Sequence, residues 1–105
     1  MNHPLHRLNK AFDSRIRLGL VAALAARSAM DFKELKDLLQ LTDGNLASHL
    51  KPLEKEGFIE VEKSFIDRKP NTRYRLTAAG RAALQEHIAA LEQLIALQKD
   101  LNAKG

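Results

Sequence analysis

Residues 41–65 read LTDGNLASHLKPLEKEGFIEVEKSF, and the fold turns on the change of period inside this stretch. From Thr42 to Glu56 the apolar residues Leu46, Leu50 and Leu53 recur every three or four positions, which predicts an amphipathic helix. Thr42 is a good N-cap for it, and Gly57 stands where a left-handed residue ends a helix. At about 100° per residue, Gly44, Asn45, Ser48, Lys51, Pro52 and Lys55 project away from the leucines, with His49 at the margin. That outward face is small, polar and basic, as a helix bound for a DNA groove would be, although an ordinary solvated face can look the same. From Phe58 the period becomes two. Ile59, Val61 and Phe65 fall on one face and Glu60, Glu62 and Ser64 on the other, the pattern of a half-buried strand.

Downstream, TRYRLT repeats the alternation with Tyr74 and Leu76 inward and Arg73 and Arg75 outward. The intervening IDRKPN is turn-forming through Asp67, Pro70 and Asn71, so the two strands should make a hairpin with Arg68 and Lys69 at its end, a basic wing. Thr77 then caps a long helix in which Leu84, Ile88, Leu91 and Ile95 alternate spacings of four and three, widened by Leu94, Leu97 and Leu101. Upstream, Asp13 or Ser14 can cap a first helix carrying Ile16, Leu20, Ala23 and Leu24 on one stripe and Leu18, Val21 and Ala25 on a second. Between these lies a short second helix, DFKELKDLLQL, opened by Asp31 and Glu34 at capping-box spacing. The order helix, helix, helix, strand, strand, helix predicts one α+β, mainly α domain over 1–105: a three-helix core, a β-hairpin wing and a long C-terminal helix.

Charge is placed unevenly along this order. The chain of 105 residues has 17 Lys and Arg against 13 Asp and Glu, a net charge of +4, and a sequence pI of about 9.6. Lys63, Arg68, Lys69, Arg73 and Arg75 face only Asp67 in their window, so the wing carries the entire excess and the remainder balances. A one-signed cluster on a short hairpin points to an anionic partner, nucleic acid before membrane. The absence of cysteine excludes a disulfide framework, a thiolate zinc site and a cysteine nucleophile. With no apolar run of spanning length and no signal-peptide core at the N-terminus, a soluble, cytoplasmic chain is expected.

With these residues in place, the chain resembles the MarR/ArsR-type winged-helix regulators of bacteria and archaea, in their compact single-domain group. The likeness runs from SRIRLGLVAALA through LTDGNLASHLKPLEKEGFIEVEKSF to DRKPNTRYRLTAAGRAAL. It implies that Thr42, Asn45, Ser48 and His49 form the base-facing end of a recognition helix and that Lys51 and Lys55 meet phosphates. It also implies that Arg68 and Lys69 reach the minor groove or its phosphates, supported by Arg73 and Arg75. Two departures stand out. Pro52 lies within the third helix and lacks the N–H that would bond to Ser48, which is expected to bend it past its reading end. Asp67 stands where related sequences often have glycine, adding a negative charge near the proposed phosphate contacts.

An enzyme needs a convergent set of nucleophile, base or metal ligands, and four scattered histidines do not supply one, so no catalysis, cofactor or metal is expected. His3 and His6 near one end are more often incidental than a metal site. The alternative from another class is a winged helix that docks protein and lacks a DNA site, favoured if Glu54, Glu56, Glu60 and Glu62 dominate the exposed surface. The surplus apolar residues Leu18, Val21, Leu84, Ile88, Leu91, Leu94 and Ile95 predict a homodimer with 81–101 as the dimerisation helix, binding double-stranded DNA as an inverted repeat. With a largely filled core, little room for a ligand pocket is expected, and the sequence names no effector.

Overall fold

The computed structural model describes residues 3–104. A short helix, α1 (Pro4–Arg7), and a single 3-10 turn (Lys10–Phe12) lead into α2 (Arg15–Ala26), β1 (Met30–Asp31), α3 (Phe32–Leu39) and α4 (Asp43–Lys55). The hairpin strands β2 (Ile59–Ile66) and β3 (Lys69–Leu76) follow, then α5 (Ala78–Lys104). The sheet is antiparallel in the order β1-β3-β2.

The helix boundaries are set by local chemistry. Ser14 caps α2, its hydroxyl accepting from the Arg17 amide. Asp31 and Glu34 close a reciprocal capping box at the start of α3. Thr42 Oγ1 accepts from the Asn45 amide at 3.1 Å to start α4. Gly57, at φ +78°, ends α4, with the Phe58 amide donating to the Leu53 carbonyl and the Gly57 amide to that of Glu54. This is the paired termination of a Schellman motif. The same junction starts α5. Thr77 Oγ1 donates to the Gly57 carbonyl at 2.6 Å and accepts from the Gly80 amide at 3.0 Å. Gly80 has no space for a side chain, since a Cβ there would lie 2.2 Å from the Phe58 carbonyl oxygen.

The core gathers Phe12, Leu20, Val21, Leu24, Met30, Leu35, Leu46, Leu50, Leu53, Ile59, Leu76 and Leu84. At its centre α2 packs against α3, α4, α5, β3 and the 3-10 turn. This enclosure corrects two expectations. Val21 is wholly buried and Leu84 is 6% exposed, so both belong to the chain's own core and not to a dimer surface. Leu18 is half-buried against the same core. The second apolar stripe of α2 is covered because one helix is surrounded on nearly every side within a single chain.

The hairpin is also longer than its turn residues suggest. Pro70 and Asn71 belong to β3, and the loop is Asp67-Arg68 alone, at φ +52° and +67°. Two left-handed residues in a two-residue loop match the right-handed twist of the strands. Ile66 and Lys69 close the loop as a hydrogen-bonded pair, so the next pair, Phe65 and Pro70, is of the other kind. The proline nitrogen then faces away from β2 and no ladder bond is lost. Phe65, expected inward, is exposed, because the hairpin outruns the core it starts from.

Two elements at the N-terminal side add to the expected order. β1 pairs with β3 through Met30 with Tyr74 and Asp31 with Arg73. α1 packs on α5, held by Arg7, which donates to Glu86 Oε1 at 2.7 Å and to Gln93 Oε1 at 2.6 Å. The Arg7–Glu86 hydrogen bond holds the Glu86 carboxyl below its ordinary value and raises the Arg7 guanidinium. His87, buried in α5, accepts at Nδ1 from the Asn9 amide at 3.0 Å and meets the Phe12 ring edge-on.

Candidate nucleic-acid interface

Leu46, Leu50 and Leu53 anchor α4 in the core, so the opposite face is presented to solvent. Asn45, Ser48, Lys51 and Lys55 are all exposed there, as is Thr42 at the cap. Their freedom differs. The Thr42 hydroxyl accepts the cap hydrogen bond, and Ser48 Oγ donates to the Asn45 carbonyl at 2.9 Å. The Asn45 side-chain amide and the two ammonium groups are unengaged among the described residues. α4 runs unbroken through Pro52 to Lys55.

His49 is half-buried, and its Nδ1 accepts from Arg17 Nε of α2 at 3.2 Å. The ring is therefore oriented from outside its own helix, with Nε2 as the remaining donor. At the start of α4, Lys36 Nζ lies 2.9 Å from Asp43 Oδ1, so the one acid of the first turn is matched by a cation from α3. The hydrogen bond to Asp43 raises the lysine above its ordinary value. Sequence reasoning missed Arg17 and Lys36, and no local signal could have found them, because both contacts depend on how neighbouring helices cross.

Arg68, Lys69, Arg73 and Arg75 of the wing divide in two. Arg68 and Lys69 are exposed at the tip, without a hydrogen bond or salt bridge among the described residues. Arg73 is half-buried and donates from Nη2 to the Ala29 carbonyl at 3.2 Å, tying β3 to the chain before β1. Arg75 pairs with Glu62 across the strands at 2.9 Å. The four acids around the end of α4 and the start of β2, Glu54, Glu56, Glu60 and Glu62, are all exposed. Glu62 is matched by Arg75, and Glu54 lies near Tyr74, whose hydroxyl is raised by burial and then by that carboxylate.

On α5, Ile88, Leu91 and Ile95 are exposed and Leu94 is half-buried. An open surface groove of about 340 Å³, lined by Arg15, Ile16, Leu39 and Leu41, lies beside the turn into α4. His3 Nδ1 caps α1 by accepting from the Leu5 amide. Among the described residues no group of three or more His, Cys, Asp or Glu could hold a metal ion. No described helix is long and apolar enough to cross a membrane.

Comparison with known proteins agrees with this geometry. The winged helix DNA-binding domain family matches residues 16–95. An uncharacterised protein of Methanocaldococcus jannaschii is 41% identical over 85 residues, spanning 81% of this chain and 92% of the relative. Among solved structures, a transcriptional regulator homologue from Pyrococcus horikoshii is 30% identical with a TM-score of 0.72, over 83% of this chain and 91% of that one. A mutant of MarR from E. coli shares the fold at 19% identity and a TM-score of 0.72, over 87% of this chain and 66% of that one. With the family model matched over residues 16–95, from α2 into α5, this chain belongs to the winged helix DNA-binding domain family.

Proposed function

We propose that the chain is a transcriptional regulator that binds duplex DNA sequence-specifically, as a homodimer on a short inverted repeat. The observation that carries this reading is the free polar face of α4, with Asn45, Lys51 and Lys55 exposed on a helix fixed at both ends. Asn45, near the end that would enter the major groove, is the candidate base-reading side chain, with Ser48 and the oriented His49 beside it. Lys51, Lys55, Arg68 and Lys69 are the candidate phosphate ligands. Arg73 and Arg75 support the wing's shape through their existing bonds. The Pyrococcus horikoshii regulator homologue lends the reading support at the level of the whole chain.

The dimer reading rests on Ile88, Leu91 and Ile95, at 42%, 38% and 54% exposure. They form a continuous stripe on a helix of 27 residues that extends beyond the core. A two-fold contact between equivalent helices would cover that stripe and set two copies of α4 to face half-sites roughly 34 Å apart. Docking to protein in place of DNA is the other reading, favoured by exposed Glu54, Glu56 and Glu60, while Glu62 is paired with Arg75.

Selecting bound duplexes from a random pool, then footprinting the selected sequence, tests the proposal. A symmetric footprint over an enriched inverted repeat is expected, with dimers in sedimentation equilibrium. No enriched sequence, or monomers at micromolar concentration, would sink the corresponding half of the proposal.

A further inference from the structure

The wing tip carries apolar surface that phosphate contacts alone do not explain. Phe65 is 76% exposed and Ile66 is 55% exposed, on a hairpin whose tip also carries Asp67, Arg68, Lys69 and Pro70. Phe65 sits opposite Pro70, and Ile66 opposite Lys69. By strand alternation Phe65 shares a face with Ile59 and Val61. Ile59 is buried in the core, so this is the side of the sheet on which the helices lie, α4 among them. The same face of β2 carries Lys63 and then Phe65 beyond the end of the core.

We infer that the wing tip is a mixed basic and apolar wedge for the minor groove, with Phe65, backed by Pro70, packing against the deoxyribose walls while Arg68 and Lys69 meet the phosphates. The inference rests on the DNA reading above and adds to it a contact that salt does not screen. Charge decides the occupant. From Lys63 to Lys69 the tip carries Lys63, Arg68 and Lys69 with only Asp67 against them, so a second copy meeting tip to tip would bring like charges together. A nucleic-acid backbone supplies what the tip lacks on both counts, since its phosphates are anionic and its sugar faces are apolar. Minor-groove proteins commonly use apolar side chains flanked by basic ones in this way.

The test uses the full chain and a labelled duplex from the selection above, titrated across salt concentrations. Phe65→Ser should bind about ten-fold more weakly at every salt concentration, the effect of withdrawing part of a buried phenyl ring. The slope of log K against log salt should not change, because no counterion release is lost. Phe65→Leu should recover most of the affinity. Thermal unfolding of Phe65→Ser should match the wild type, since the ring makes little contact within the chain. Wild-type affinity in Phe65→Ser, alongside weakened binding by Arg68→Ala, would overturn this inference and leave the DNA reading standing. A slope lowered as in Arg68→Ala, or a changed sedimentation behaviour with unchanged DNA affinity, would also overturn it. Failure of the wild type to bind any duplex would remove the DNA reading and this inference together.

Discussion

Helix α4 and the β2–β3 hairpin both carry basic and polar side chains to the surface, but they are held differently. α4 is fixed along its length by Leu46, Leu50 and Leu53, at its start by Thr42 and the Lys36–Asp43 pair, and at its end by the Gly57 termination. The hairpin is fixed at its base by buried Ile59 and Leu76, and along its middle by Glu62–Arg75 and Arg73–Ala29. From Lys63 to Thr72 no side chain forms a hydrogen bond or salt bridge among the described residues. Base readout demands sub-ångström placement and belongs on a packed element, whereas phosphate contacts tolerate a pliable one. On the proposed DNA reading, the contrast gives discrimination to α4 and leaves the wing with phosphate contacts, shared with Lys51 and Lys55.

The largest effect should come from breaking the junction on which both elements depend. At Gly80 an added Cβ would meet the Phe58 carbonyl oxygen at 2.2 Å and Leu76 Cδ1 at 2.6 Å, so α5 must shift from the end of α4 and the base of β3. Gly80→Ala should cost about 3 kcal/mol, read as a fall of roughly 10 °C or more in the unfolding midpoint. Gly57→Ala is the control. Its Cβ would meet nothing within 4 Å, so only the left-handed backbone at φ +78° is penalised, by roughly 1–2 kcal/mol. A wild-type midpoint for Gly80→Ala would show that the close approach there is relieved without cost.

What could be read in the sequence follows the range of each interaction. The caps at Ser14, Asp31 and Thr42, the Gly57 termination and the leucine face of α4 all act within a few residues, and the sequence displays them directly. The exposed positions of α4 were legible for the same reason. Contacts between elements were not. Arg17 reaching His49, Lys36 reaching Asp43 and Arg73 reaching Ala29 depend on helix crossings and sheet order that no periodicity encodes. Two-sided apolarity on α2 suggested a partner for Val21, but one chain encloses that helix by itself. At the wing, proline and asparagine suggested a longer loop, whereas two adjacent left-handed residues turn the chain.

Smaller effects separate the two elements directly. Arg68→Ala with Lys69→Ala should lower the slope of log K against log salt by about 1.8, two phosphate contacts at roughly 0.9 each. Affinity should fall alike for the selected duplex and for mixed-sequence DNA, with no change in unfolding midpoint, since both side chains are free. Asn45→Ala should act the other way, narrowing the ratio of selected to mixed-sequence affinity by roughly ten-fold while leaving the slope intact. If the wing variant altered discrimination and the Asn45 variant altered the slope, the division of labour would be reversed.

The smallest expected effect is also the most specific to this chain. Asp67 occupies a left-handed position at φ +52°, a conformation that asparagine adopts as readily as aspartate. Asp67→Asn therefore removes the tip's only negative charge while keeping the shape of the turn. If Arg68 and Lys69 lie at the phosphates, the Asp67 carboxylate is repelled by them through solvent, and its removal should tighten binding about two-fold at low salt. Screening should erase most of that gain as the Debye length falls to a few ångströms near 1 M salt. Stability should move little, because the charge makes no salt bridge among the described residues. A gain in affinity that fades with salt would place the tip against the DNA backbone. Weaker binding by Asp67→Asn would instead mean that the carboxylate orients Arg68, and the tip would have to be treated as a built element like α4.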